Sequence, residues 1–578
     1  CLLSRGLGDV YKRQLQFRAD YGLTYRNDFT KSWSMPTILQ NFQTGLPGYE
    51  TVTKSTGITD YTRERTKTIL NLHAIYNQEI FSGHNLRFQF IYSEEYWHER
   101  SQSSSRNDRF HPNLTEIDGA GVTTQSTGGS SSKEGLRSIV TKLNYDIHDK
   151  YMLQALVRWD ASSKFSKGHQ WGTFPSVSAA WRFSEEGFFE PLKDVVSNAK
   201  IRMSWGKVGN NSGVDRYYQK DTYNSYPYTF GDNILVEGYA PYKLIDPNFT
   251  WESTAMTNLG LELSFFNNRL KMELDLYNKL TTSMIRPGQV SRLLSGLEAP
   301  DRNIGEMRNR GAEISLSWQD QIGDFSYGIG VFLQYNKNKL LKWNERLGRG
   351  DKFLGYPYEM VYTYKAVGIA QTWEEIANAP YQNDNLAPGD LLMEDINGDG
   401  VIDSNDKVAM PNSMRYIPTS DFSINFNADW KGFDLSMLFQ GNAGRKNFWL
   451  DNFNNVNVYT SRYAFQEHHL DTWPPDNRGA KFPRLTSGSN GGFNQEQSTF
   501  WLYSCDYIRL KNIQLGYRIP SKLLKYIGVS SARIHISAEN LFTITKWPGL
   551  DPEKLPKSGS EIPYPLMKNY SLGINVTL

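Results

Sequence analysis

A chain of 578 residues with a formal net charge of +2 offers no electrostatic footprint for nucleic acid or any other polyanion. Aromatic residues make up 14% of it, yet the hydrophobic fraction is only 39% and the mean hydropathy −0.56. No apolar run is long enough for a membrane-spanning helix, which excludes helical membrane proteins but not barrels, whose strands carry a weaker signal. Two cysteines, Cys1 and Cys505, without a CxxC, indicate neither a disulfide framework nor a zinc site.

In chain order, the opening CLLSRGLGDVYKRQ (1–14) looks foreign to the rest of the chain. Asp9 to Gln14 reads like the translated end of a sequencing adapter, so residues 1–14 are set aside and fold reasoning begins at Leu15. With no signal peptide at that point, the sequence is expected to be a fragment.

From Asn258 the chain alternates with period 2: Leu259, Leu261, Leu263 and Phe265 oppose Gly260, Glu262 and Ser264. After Asn267 and Asn268 the pattern resumes with Leu270, Met272, Leu274 and Leu276, predicting a hairpin on a two-residue turn. Similar pairs flank Gly323 and the Lys431-Gly432 turn, and the chain closes on Tyr570, Leu572, Ile574, Val576 and Leu578. The reading yields about seventeen segments, many near the roughly ten residues that cross a bilayer at a tilt. Tight turns at 267–268, 320–324 and 431–432 contrast with long connections at 210–250, 282–307 and 443–504, the asymmetry of an outer-membrane barrel. A soluble sandwich or propeller would alternate too. A propeller, however, needs a blade repeat of about 40 to 50 residues, and charges regularly opposite the apolar face suit a wet lumen.

The stretch DINGDGVIDSND (395–406) has calcium-loop spacing. Asp395, Asn397 and Asp399 stand at positions 1, 3 and 5, Val401 offers its carbonyl, and Asp403 and Asp406 stand at 9 and 12. Pro388, Gly389 and Pro411 deny it flanking helices, so any Ca2+ would be structural, and Asn-Gly-Asp-Gly is also good turn chemistry on a solvated loop. Counting strands back from the C-terminus places this loop, within 385–416, outside the cell.

No phosphate-binding, zincin or serine-hydrolase motif is present, so no enzyme is expected. Glu467, His468 and His469 are a weak metal candidate, since adjacent His side chains on an extended segment diverge. The loop 217–242 carries Tyr217, Tyr218, Tyr223, Tyr226, Tyr228, Phe230, Tyr239 and Tyr242. Its aromatic faces suit sugar rings or a partner protein, and self-packing of the loop is the alternative. Tyr217, Tyr218, Tyr226 and Tyr228 are the substrate-binding candidates.

Several stretches in order resemble the SusC/RagA-type TonB-linked outer-membrane transporters: WDASSKFSKGHQWGTFPSVSAAWRFSEEGFF (159–189), KIRMSWGKVGNN (200–211), WESTAMTNLGLEL (251–263), NIGEMRNRGAEISL (303–316), PGDLLMEDINGDGVIDSNDK (388–407), YIRLKNIQLGYRIP (507–520) and AENLFTITKWPGLDPE (538–553). The resemblance implies an all-β, antiparallel transmembrane β-barrel, residues 15–578 being part of a 22-stranded barrel whose plug is absent here. It implies import of large nutrients, oligosaccharides or peptides, with a SusD-like surface lipoprotein and with TonB–ExbB–ExbD acting on the missing N-terminal region. Outer-membrane lipids would surround the barrel, and no cofactor beyond a structural Ca2+ is implied. A secreted carbohydrate-binding or carbohydrate-cleaving β protein with a calcium-stabilised loop is the competing expectation.

Overall fold

In the computed structural model the described residues are 15–577, less 35–36, 41–43, 45–46, 52–55, 112, 232–233, 289, 291, 344–353, 359, 415–416, 450–464, 487–492, 525, 527 and 555–563. The segment 1–14 lies outside them. Sixteen strands form one antiparallel sheet in which each pairs with the next in sequence. They are β1 (Leu15–Trp33), β2 (Ile58–Phe81), β3 (His84–Arg106), β4 (Ser126–Ile147), β5 (Tyr151–Ser162), β6 (Trp171–Trp181), β7 (Val196–Asn210) and β8 (Glu252–Phe265). They continue as β9 (Leu270–Pro287), β10 (Asp301–Ile322), β11 (Phe325–Lys342), β12 (Ser420–Trp430), β13 (Phe433–Ala443), β14 (Tyr507–Arg518), β15 (Ser531–Thr545) and β16 (Asn569–Thr577).

The two kinds of connection segregate to opposite ends. Residues 82–83, 148–150, 266–269, 323–324 and 431–432 turn at one end, with the somewhat longer 182–195 and 519–530. Connections 34–57, 107–125, 211–251, 343–419 and 444–506 lie at the other, and every small two-stranded ribbon belongs to one of these longer connections. Residues 370–394 belong to the long connection 343–419 and add no strand to the sixteen-stranded sheet, so the 395–406 loop lies at the long-loop end. The Lys431-Gly432 turn has both residues at positive φ, 47° and 91°, as a two-residue hairpin of matching twist requires. The predicted 267–268 turn is wider: Phe266, Asn267 and Asn268 all adopt positive φ, and the strands resume at Leu270.

Register converts the alternation into two faces. Leu274, Ile314 and Leu333 lie abreast on β9, β10 and β11, followed by Phe422 on β12. Below them, Trp318, Ile329 and Phe426 align in the same way. Outward residues Phe325 to Tyr335 of β11 cover about 33 Å of strand at roughly 3.3 Å per residue. Tilted, that matches an apolar band about 25 Å tall. At its turn end the band finishes in aromatic pairs: Tyr151 with Trp181 at 6.5 Å, Phe325 with Tyr327 at 5.6 Å and Phe433 with Tyr517 at 4.6 Å between ring centroids. Such girdles sit where apolar ring bodies meet lipid and polar tips meet water.

The buried core lies mostly outside this wall. Trp501, Phe482 and Trp449 form one cluster in the long connections, and Phe165, Phe249 and Trp251 another. A single-layered wall has lipid on one side and lumen on the other, so close packing is left to the loops.

A charge on the outward face should therefore be costly and one on the inward face should not. Val331→Arg is expected to destabilise the vesicle-inserted barrel by about 2–4 kcal/mol. Asn425→Arg, on the lumenal face, should change it by less than about 1 kcal/mol. Urea titration followed by heat-modifiable gel mobility measures both.

Candidate functional site

The inward face of β7–β9 is a wall of paired charges. Lys200 Nζ lies 3.0 Å and Arg202 Nε 2.9 Å from the Glu262 carboxylate, while a terminal nitrogen of Arg202 reaches Asp275 at 2.6 Å. Asn258 donates its amide to the other Asp275 oxygen at 2.8 Å. Arg202 spans two strands because Gly260 lies beneath it: a Cβ there would stand 2.6 Å from Nε. The same device recurs on β14 and β15, where Arg533 lies over Gly516 and bonds Asp434 and Gln514. These half-exposed, interlinked pairs hold a polar lumenal surface of fixed geometry without concentrating one sign of charge. Ser178, Ala180 and Ser204 leave the neighbouring wall smooth.

At the long-loop end, connections 343–419 and 444–506 interlock into one body. Asp390, 4% exposed, accepts from Arg484 at 2.7 and 2.9 Å and from the Asn494 amide at 2.7 Å. Asn494 then accepts from Leu391 N at 2.7 Å, its own carbonyl accepts from Trp501 Nε1 at 2.9 Å, and Thr363 bonds Gln497 across the two segments. The buried carboxylate, guanidinium and amide satisfy one another, as a buried polar network must. This body stands at the same end of the wall as the loop around Tyr218.

The loop 395–406 is docked on that body: Tyr381 N donates to the Gly400 carbonyl, Ile402 N donates back to Tyr381 O at 2.8 Å, and Ile402 is buried beside Leu391 and Met393. Its acidic side chains are turned toward backbone. Asp395 accepts from Gly398 N and Gly400 N at 2.7 and 2.8 Å, Asn397 from Asp399 N at 2.9 Å, and Asp399 from Val401 N at 2.9 Å. Asp403 accepts from Asn405 N, and the fully buried Asp406 accepts from Ile396 N at 3.0 Å and Asp403 N at 2.8 Å. Burial alone would raise the Asp406 carboxyl, but the backbone donors of Asp403, Ile396 and Asn397 outweigh it and hold it below the ordinary value of 3.8. Each Asp406 oxygen thus accepts from the backbone and braces the turn. Among the described residues no three acidic, His or Cys side chains stand together to hold a metal ion. The donors present fit a self-supporting turn better than a calcium cage.

Two candidate sets separate. Tyr218 is 8% exposed, packs on Phe249 with ring centroids 4.0 Å apart and donates its hydroxyl to the Asp301 carbonyl at 2.6 Å. Burial pushes that hydroxyl far above its ordinary range. It is a loop anchor, packed away from the surface that a ligand would meet. Tyr217 accepts from Lys133 N at 2.8 Å and likewise ties its loop to β4. Tyr226 and Tyr228 are exposed and share one face of the ribbon Tyr223–Phe230/Ile234–Pro241, opposite Gly238 and Val236. Glu467–Asp471 is a 3-10 turn, which brings the His468 and His469 rings to 4.0 Å instead of splaying them. His469 is buried and accepts from Gln466 N at 2.8 Å, so it braces the turn. Sequence reasoning missed the Asp390–Arg484–Asn494 network and the Arg202 wall, whose partners are far apart in the chain.

The comparisons agree with this geometry. The profile described as TonB dependent receptor-like, beta-barrel matches residues 3–541. The chain belongs to that family. TonB-dependent receptor P3 of Formosa agariphila is 27% identical over 97% of this chain and 56% of its own length. TonB-dependent receptor SusC of Bacteroides thetaiotaomicron is 29% identical over 77% of this chain and 44% of its own. The structure of the RagAB peptide transporter superposes with a TM-score of 0.81 at 22% identity, over 98% of this chain and 60% of that one. This TonB-dependent receptor barrel is of the SusC/RagA type and resides in the outer membrane. It spans about half the length of the curated relatives it matches.

Removing the buried cap should loosen the loop more than removing an exposed one. Asp406→Ala is expected to cost about 2 kcal/mol in local opening, against less than about 1 kcal/mol for Asp399→Ala. Hydrogen exchange of amides 396–403 reads both. The Asp406 pKa is lowered by folding, so its contribution is complete above the unfolded value of 3.8 and disappears as pH falls through the lower folded one. Protection of these amides relative to unstructured peptide should fall only below about pH 4.

Proposed function

We propose that this chain forms the wall and vestibule of an energised importer for large nutrients, oligosaccharides foremost and peptides as the other class. The carrying observation is the pairing of a charge-compensated lumenal wall on β7–β9 with a hydrogen-bonded loop body at the long-loop end. A wide polar path with balanced charge suits bulky neutral or zwitterionic solutes, whereas a small-ion pore needs a narrow ring of one sign. Family membership supports TonB–ExbB–ExbD as the energy source and a SusD-like lipoprotein as the partner at the vestibule. The structural neighbour described as a peptide transporter supports the peptide class.

Tyr226 and Tyr228, about 7 Å apart along one strand face, support the oligosaccharide class, because consecutive rings can stack on consecutive aromatic faces. The outward apolar band and its girdle count against a secreted, water-soluble β protein. Calcium at Asp395, Asn397, Asp399, Val401, Asp403 and Asp406 rests on ligand spacing alone. Terbium luminescence of the protein should be lost in Asp395→Ala and Asp399→Ala if the cation binds there, and equal signals remove it.

Uptake of labelled oligosaccharides and peptides by cells carrying or lacking the gene tests the main reading. Import should require the gene and an intact TonB system. Replacing Tyr226 and Tyr228 by Ala should weaken oligosaccharide uptake roughly tenfold at limiting concentration, as the loss of about 1.4 kcal/mol predicts. Undiminished uptake without TonB would overturn the proposal.

A further inference from the structure

Just past the apolar band, on its long-loop side, the outward face of β10 and β11 changes character. Ala312 and Tyr335 are the last apolar pair; the next outward pairs are Arg310 with Lys337 and Arg308 with Lys339. The register runs without a bulge from Met307 to Ile322, so these four side chains stand on the same face as Ile314, Leu316 and Trp318. Arg310, Lys337 and Lys339 are exposed and Arg308 is half-buried. On the adjoining β9 the aligned outward residues are Asn278 and Leu280, and Asn278 accepts from Arg310 Nε at 3.0 Å. The neighbouring carboxylate of Glu306 is engaged by Lys342 at 3.2 Å. On β7–β9 cations are interleaved with carboxylates; here four cations occupy two successive rows.

We infer that Arg308, Arg310, Lys337 and Lys339 form a docking site for the phosphorylated headgroup of an anionic lipid in the leaflet on the long-loop side. The acyl chains of such a lipid lie along Tyr335, Leu333 and Ile314 while its phosphates sit at the height of the two basic rows. Charge complementarity and continuity with the apolar band select a lipid over a soluble anion, because only a lipid engages both surfaces at once. Arg310 presents a planar fork that can clasp a phosphate through two N–H groups, and the lysines supply point charges beside it. The site lies on the outer wall, away from the import path.

The test uses the protein extracted from outer membranes in detergent, titrated in native mass spectrometry with bisphosphorylated lipid A, its dephosphorylated counterpart, and inorganic phosphate. The double variant Arg310→Gln/Lys337→Gln should bind the phosphorylated lipid roughly thirtyfold more weakly, about fivefold for each basic residue. Dephosphorylated lipid should bind the unmodified protein no better than the phosphorylated lipid binds the variant, and inorganic phosphate should not compete. Heat-modifiable mobility reports folding, and Arg308→Gln/Lys339→Gln should give the same direction of change if the first variant fails to fold. Affinity within twofold of the unmodified protein in both variants would overturn the inference, as would competition by inorganic phosphate, which would mark a soluble-anion site. Import by the variants should be unchanged, so failure here is separable from failure of the transport reading.

Discussion

In a bilayer there is no water to satisfy a backbone N–H or C=O, so each strand of the wall must find both partners in its neighbours. That constraint dictates the rest. Antiparallel ladders between consecutive strands leave side chains only two directions, lipid or lumen, and fix which residues share a row. The apolar band, the turn-end aromatics and the inward charges are three readings of one register. A one-residue slip in β10 would exchange Ile314 and Leu316 for Glu313 and Ser315 on the lipid face.

The inward face carries a second consequence. Charges that cannot reach bulk solvent freely are arranged across strands, as in Lys200–Glu262–Arg202–Asp275, and glycine at 260 or 516 gives the guanidinium a flat bed. No strand supplies such a network by itself. The wall's polarity is thus a tertiary property written in separate strands, and it gives the lumen a surface of charges paired across strands. Close packing moves to the long connections, where Trp501, Phe482 and the Asp390–Arg484–Asn494 network build a body that the wall itself cannot provide.

The architecture was legible where each face met a different solvent. Between Leu259 and Leu276, and again from Phe422 to Phe439, strict alternation located strands and turns directly, and the contrast of turn lengths separated the two ends. Legibility failed beyond the band. Strands β9 and β10 extend to Pro287 and from Asp301, into what read as a 282–307 loop, because both faces there are wet and alternation carries no information. About seventeen segments were expected and sixteen sheet strands are described. Composition could not divide Tyr218 from Tyr228, since burial under Phe249 depends on a residue thirty-one positions away. The 395–406 spacing is legible as turn chemistry, but the service of Asp406 as a buried cap is visible only when its backbone donors are placed.

One register sorts this chain into a lipid face and a wet face. Spin labels placed one at a time at residues 326–335, in outer-membrane vesicles of a Cys1→Ser background, test it most directly. Cys505 stays silent because it is fully buried and burial raises its thiol to about 11. Labels at Tyr327, Ile329, Val331, Leu333 and Tyr335 should collide with dissolved oxygen, and those at Ser326, Gly328, Gly330, Phe332 and Gln334 with a water-soluble nickel chelate. Accessibility without that period of two, or with the two sets exchanged, would contradict the account.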